Sequence, residues 1–221
     1  MHQPNAIMND PRGSLWRRWD LHVHTPSSLT HNYGADSETT WERFIAALEA
    51  LPAEFSVIGI NDYLFLDGYR KVLEYKSRGR LANIATFLPV LEFRIDKFGG
   101  TDGRLRRVNL HVVFSNELTS DQIEQQFLNQ LRAKYTLSPG LDGAMWNGVI
   151  TRDSLADLGT KIIESVPREK RAEYGSPLIE GFNNLNLSID TIYTALDSTY
   201  LLGRYVTAVG KTEWASLKWN D

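Results

Sequence analysis

Trp19-Asp20-Leu21-His22-Val23-His24-Thr25-Pro26-Ser27 sets two histidines, two positions apart, in an apolar run. Alternate side chains of a β-strand share one face. The apolar run around the two histidines therefore predicts a strand over Trp19–Thr25 that turns His22 and His24 to the same side. The chain holds five histidines in 221 residues, so two in one tripeptide is a concentration. Imidazole suits zinc, iron and similar borderline cations, and the spacing suits ligation of a shared metal. The competing reading is one hydrogen-bonded core histidine with an incidental neighbour.

Outward from this strand the sequence alternates. Ser37–Leu51 predicts a helix capped by Asp36 or Ser37, with Trp41, Phe44, Ile45 and Leu48 at helical spacing and Pro52 closing it. Phe55–Ile60, ending at Asn61-Asp62, reads as a buried parallel strand. Asp67–Arg78 is a second helix, stopped by Gly79. Thr86–Ile95 and Leu105–Ser115 are strands joined by a turn over 96–103, antiparallel because the connection is short. Asp121–Lys134 predicts a helix capped by Ser120, and Leu137–Gly148, with Pro139, Gly140, Gly143 and Gly148, a loop. Thr151–Val166 and Ser188–Leu202 read as helices. A polar connector over Pro167–Pro177 leads to a short strand at Leu178–Phe182, and Tyr205–Val209 is a last strand. Strand–helix alternation predicts an α/β fold with a largely parallel sheet or barrel. A polar lead-in over 1–15 precedes one domain over 16–221.

Composition narrows the class. The chain is 42% apolar and 23% charged with a net charge of −3, so no basic excess points to bulk attraction for nucleic acid. It has no cysteine, which excludes disulfides and thiolate metal sites. No apolar run approaches the ~20 residues of a membrane span, and the N-terminus lacks a signal-peptide core, so a cytoplasmic location without membrane contact is expected. Gly210-Lys211-Thr212 is similar to the end of a phosphate-binding loop, but Tyr205 stands where that loop requires glycine. Beyond the last strand, Trp214, Leu217 and Trp219 predict an apolar surface open to self-association or to a partner or continuation domain.

Chemistry in α/β folds gathers at the C-terminal ends of strands. His22 and His24 lie on the first predicted strand, Asp62 ends the second, Glu92 is late in the third and His111 lies in the fourth. Unpaired buried charge is costly, and one cation would satisfy these groups together. His31 is placed to join from a loop.

These residues carry a family resemblance. Asp20-Leu21-His22-Val23-His24-Thr25-Pro26-Ser27-Ser28 resembles the opening motif of the PHP (polymerase and histidinol phosphatase) superfamily, metal-dependent phosphoesterases on a distorted, TIM-like β/α barrel. Ile58-Gly59-Ile60-Asn61-Asp62-Tyr63 resembles the second motif, Glu92 a bridging glutamate and His111 the next histidine ligand. Trp16-Arg17-Arg18-Trp19 and Gly210-Lys211-Thr212-Glu213-Trp214 resemble the N-terminal region of large bacterial PHP–ATPase proteins of the TrlF type.

The resemblance implies metal-assisted hydrolysis of a phosphate ester or phosphodiester, of a small molecule or a nucleic acid. His22, His24, His31, Glu92 and His111 would hold divalent zinc, manganese or iron, and Glu92 would bridge two ions. Asp20 or Asp62 would orient a ligand imidazole, and Arg94 or Arg106 would contact phosphate. Tyr63 stands where the family has a histidine, and no histidine follows His111. The barrel is therefore expected to be incomplete at its C-terminus. The alternative is a catalytically incomplete regulatory or binding module associated with an ATPase domain or subunit.

Overall fold

Phe55-Ser56-Val57-Ile58-Gly59-Ile60-Asn61-Asp62-Tyr63 is apolar on both faces over Val57–Ile60, and it forms a strand buried on both sides from Val57 to Tyr63. The structure, a computed structural model, describes residues 17–99, 106–137, 145–198 and 200–211. The lead-in over 1–15, positions 100–103 of the predicted turn, the middle of the predicted 137–148 loop, and Trp214, Leu217 and Trp219 lie outside the described residues.

Two β–α–β units open the chain: β1 (Arg18–Val23), α1 (Glu38–Glu49), β2 (Phe55–Tyr63), α2 (Asp67–Ser77) and β3 (Thr86–Gly99). Their strands run parallel. β4 (Arg106–Phe114) returns antiparallel beside β3, and β7 (Tyr205–Val209) pairs antiparallel with β4, giving the order β1-β2-β3-β4-β7. The result is a mixed α/β fold around a five-stranded mixed sheet. Among the described residues β1 and β7 are its two edges and do not meet, so no closed barrel forms there. Closure requires the two edge strands to pair at a consistent tilt and stagger.

Local chemistry explains the helices. Ser37 caps α1 by accepting from the Thr40 amide, and α1 buries Trp41, Phe44, Ile45 and Leu48 along one stripe. Fully burying such side chains stabilises by about 1.5–3 kcal/mol each. The Trp41 indole N–H donates to Asp36 at 2.7 Å, which ties α1 to the loop after β1.

The second half departs from the sequence pattern. The helix predicted over Asp121–Lys134 ends at Gln126. α3 is Ser120–Gln126, capped by Thr119 in a reciprocal pair with Gln122 rather than by Ser120. A 3₁₀ turn, Leu128–Gln130, follows, and then β5 (Arg132–Thr136). Leu131, Ala133 and Leu137 are buried while Arg132, Lys134 and Thr136 are exposed, which is the period-two alternation of a strand. Its partner β6 (Met145–Val149) occupies part of the predicted loop. Thr151 and Ser154 cap α4 (Arg152–Ser165) reciprocally. The predicted connector holds a 3₁₀ segment, Arg168–Glu173, and the predicted strand at Leu178–Phe182 is instead helix α5 (Pro177–Asn184), with Pro177 in its first turn, where no amide is needed. α6 (Ile189–Leu196) is shorter than predicted.

α4 and α5 meet backbone to backbone. A Cβ on Gly159 would stand 1.8 Å from the Pro177 carbonyl oxygen, and one on Gly181 would stand 1.8 Å from that of Leu155. Gly159→Ala is expected to lower stability by about 2–3 kcal/mol, because the obstructing atoms are backbone and cannot rotate away. The helix-propensity gain of Ala over Gly, about 1 kcal/mol, offsets only part of this. A urea denaturation midpoint equal to that of the parent would refute this close crossing.

Candidate metal centre

Strand pairing brings the site together. Tyr63 is in register with Glu92, and Glu92 with His111, so these side chains emerge on one face of the sheet. β1, at the sheet edge, delivers His22, and His24 follows the strand's last residue. His22 Nε2 lies 3.6 Å and His24 Nε2 3.3 Å from Glu92 Oε2. The donor atoms of His22, His24 and Glu92 all lie within 4.8 Å of one another. His111 joins at one side, with its ring centroid 4.9 Å from that of His22 and its Nδ1 4.0 Å from Glu92 Oε2.

Asn61, which the sequence reading passed over, connects two members of this group. Its Nδ2 donates to Glu92 Oε2 at 2.8 Å, and its Oδ1 lies 3.1 Å from His111 Nδ1. Because the amide N–H₂ faces the carboxylate, Oδ1 is the acceptor and His111 carries its proton on Nδ1. That leaves His111 Nε2 with a lone pair. Such orienting partners are typical of ligand imidazoles. A fully buried polar residue inside an apolar strand was the signal that would have found it.

The residues fit a cation. Glu92 is 1% exposed, and its Oε1 has no hydrogen-bond partner among the described residues. A buried carboxylate with one orphaned oxygen, surrounded by imidazoles, is costly without a compensating positive charge. Burial raises the Glu92 carboxyl above the usual range, and the contacts with Tyr63, His22, Asn61 and Arg94 oppose this. Imidazole nitrogens plus one carboxylate oxygen form a donor set that accepts several divalent metals. The His22–His24–Glu92 group can bind a metal ion.

The imidazoles are held ready to ligate. Burial, followed by the charge of His22, pushes both His24 and His111 down to about 4. In a proton NMR titration of metal-free protein, both rings are expected to stay neutral down to about pH 5. An unfolded chain takes up these protons near pH 6.5, so each histidine withdraws stability as pH falls from about 6.5 to 4. Asp62 and Glu92, both raised by burial, act in the opposite sense and make the acid loss shallower. A His24 or His111 resonance titrating at 6.5 would mean that the ring is not buried as placed.

The remaining sequence candidates lie elsewhere. Asp62 is 3% exposed, and it accepts from the Thr25 amide at 2.8 Å and the Thr25 hydroxyl at 2.6 Å. It clamps the segment after His24 to β2 and bonds no imidazole. Asp20 accepts from the His22 backbone amide at 3.0 Å, so it shapes β1 rather than a ring. His31 accepts through Nδ1 from the Tyr33 amide and lines a cleft of about 520 Å³ with Ser27, Ser28, Asp36, Asp67 and Arg152. It is not in the three-residue group. Arg94 stands on β3 two residues beyond Glu92, whereas Arg106 is exposed opposite Gly99 at the far end of that strand pair. Tyr63 stacks on His24, with centroids 5.2 Å apart and planes 17° apart, and burial with Glu92's charge pushes its phenol up to about 12.

No family model, curated protein or solved structure matches this chain. No helix among the described residues is long and apolar enough to cross a membrane.

Proposed function

We propose that the chain is a metal-dependent phosphoesterase domain of PHP type, its open sheet being part of a distorted barrel. The observation that carries this reading is the convergence of His22, His24 and Glu92 within 4.8 Å, with His111 beside them. A divalent zinc, manganese or iron ion held by these residues supplies Lewis acidity toward a phosphoryl group. The chain's own residues do the rest. Asn61 fixes the His111 ring and the Glu92 carboxylate in one geometry. Thr25 and Asp62 hold the turn that carries His24. Tyr63 covers one face of the His24 ring, which restricts water there. His22, with a 57% exposed side chain, leaves the centre open on one side for a substrate.

A second reading has its own support. Tyr63 stands where the family has a histidine ligand, and it stacks on His24. This favours fewer ions than a complete family member holds, and with them a regulatory or binding module, partnered by an ATPase, that performs no turnover.

One experiment separates the two. The full chain is loaded in turn with zinc, manganese and iron(II) and assayed on p-nitrophenyl phosphate, bis-p-nitrophenyl phosphate and single-stranded oligonucleotides. Hydrolysis that a chelator abolishes and readded metal restores supports the phosphoesterase. Stoichiometric metal with no turnover of any ester supports the module.

A further inference from the structure

Five arginines among the described residues are half-buried: Arg70, Arg80, Arg94, Arg107 and Arg152. Three of them meet carboxylates. Arg70 reaches Asp121 and Glu124, Arg80 reaches Glu42 and Glu49, and Arg152 reaches Asp67. Arg94 and Arg107 meet neutral acceptors instead, the Asn183 side-chain oxygen at 3.1 Å and the Leu185 carbonyl. Neither has a carboxylate within 4.0 Å among the described residues. A partly desolvated cation without a counter-charge is unfavourable unless a ligand supplies one.

We infer that Arg94 is the phosphoryl-binding residue of this site, held by Tyr63, Phe182 and Asn183 to receive the anionic group of a phosphate ester beside the metal centre. The inference rests on the phosphoesterase reading for its substrate class. Arg94 lies two residues from Glu92 on β3, so both side chains share the sheet face that carries the metal group. Its guanidinium carbon is 5.0 Å from the Tyr63 ring centroid, and Tyr63 in turn stacks on His24. Phe182 of α5 covers it at 4.5 Å.

Aromatic contacts stabilise a cation without neutralising it. Of its five N–H donors, Nη1 serves Asn183 and another faces the Tyr63 hydroxyl, which leaves donors for a ligand. Those donors are the part of arginine that matches phosphoryl oxygens. Tyr63 is a neutral phenol near pH 7, so it offers Arg94 no negative charge. Glu92 is already engaged by Asn61 and the histidines.

Arg107, on the same face of β4, keeps the field positive. Burial and the charge of Arg94 hold it below its usual range, and Asp96 and Tyr135 oppose that shift. Glu92 and Tyr63 are the ionisable groups that act on Arg94 itself. The remaining arginines among the described residues are either ion-paired or exposed, which singles out the one beside the metal group.

The test uses phenylphosphonate, which carries a phosphoryl dianion and cannot be hydrolysed as an ester. Its binding to the full chain is measured by calorimetry with and without manganese, and benzoate serves as a carboxylate of similar shape. Arg94→Gln is expected to weaken phenylphosphonate binding about ten- to a hundredfold, the span of a charge-assisted hydrogen bond. Arg94→Lys is expected to recover part of the loss, and benzoate to bind weakly to every form. Should Arg94→Gln melt below the parent, Arg94→Lys alone is compared, and a lysine variant equal to the parent overturns the inference. Equal phenylphosphonate affinity in a stably folded Arg94→Gln variant overturns it as well. Benzoate binding as tightly as phenylphosphonate, and with the same dependence on Arg94, overturns the phosphoryl assignment.

The two readings fail separately. Ester turnover with an unchanged KM in Arg94→Gln leaves the phosphoesterase standing and removes Arg94 from its site. Arg94-dependent phenylphosphonate binding with no turnover of any ester does the reverse.

Discussion

The His22→Ala, His24→Ala double variant is expected to lose metal affinity by well over a hundredfold while keeping its fold. Removing partners that merely orient ligands typically costs 10–100-fold, and this variant removes two direct donors. The remaining Glu92 and His111 cannot close a site alone. The fold should survive because the His22 and His24 side chains are 57% and 22% exposed and contribute little to the core. Glu92, at 1% exposed, is a poorer position for this test, since its loss would leave Asn61 and three imidazoles around a cavity. Metal content by elemental analysis and zinc affinity by chelator competition check the result, with a thermal melt as control. Unchanged metal content in the double variant would refute the centre.

Asp62→Ala is expected to cost about 3 kcal/mol or more of folding stability. The buried Thr25 amide and hydroxyl both lose their acceptor, and each orphaned donor costs about 1–3 kcal/mol. Asp62→Asn keeps an acceptor for the amide, and the Thr25 hydroxyl can turn to accept, so its cost should be smaller. Burial pushes the Asp62 carboxyl up to about 6. A raised carboxyl favours the folded state most when protonated, so this contribution is present at low pH and is lost as pH rises through about 6. The deficit of Asp62→Ala relative to the parent is therefore expected to be larger at pH 5 than at pH 8. A deficit that grows with pH would mean that Asp62 acts as a charge partner. Because Thr25 follows His24, metal affinity should fall in this variant too, by less than in the double histidine variant.

These two outcomes also show where sequence reading stops. The strand around His22, the stripe of α1, the buried β2 and the last strand were legible because each follows from a local pattern of period two or 3.6 and a nearby cap or breaker. The stretch after Gln126 was not. Its residues accept a helical reading, and pairing with Met145–Val149 is what makes the segment a strand. Leu178–Phe182 is too short and apolar for its period to choose, and the close approach of Gly181 to α4 is what places it in a helix.

The candidate site divides along the same line. Residue types and local spacing specify the donors, the shared orientation of His22 and His24, and the absence of thiolate ligands. Folding in three dimensions brings Glu92 and His111 to those histidines, sets Asn61 between them, gives Asp62 to Thr25, and leaves Arg94 without a carboxylate within 4.0 Å among the described residues. The bonds concerned span 31 to 89 positions along the chain. Contacts over such separations depend on strand order and register. These are fixed by how the whole sheet buries its faces against the helices, and no single segment carries that information.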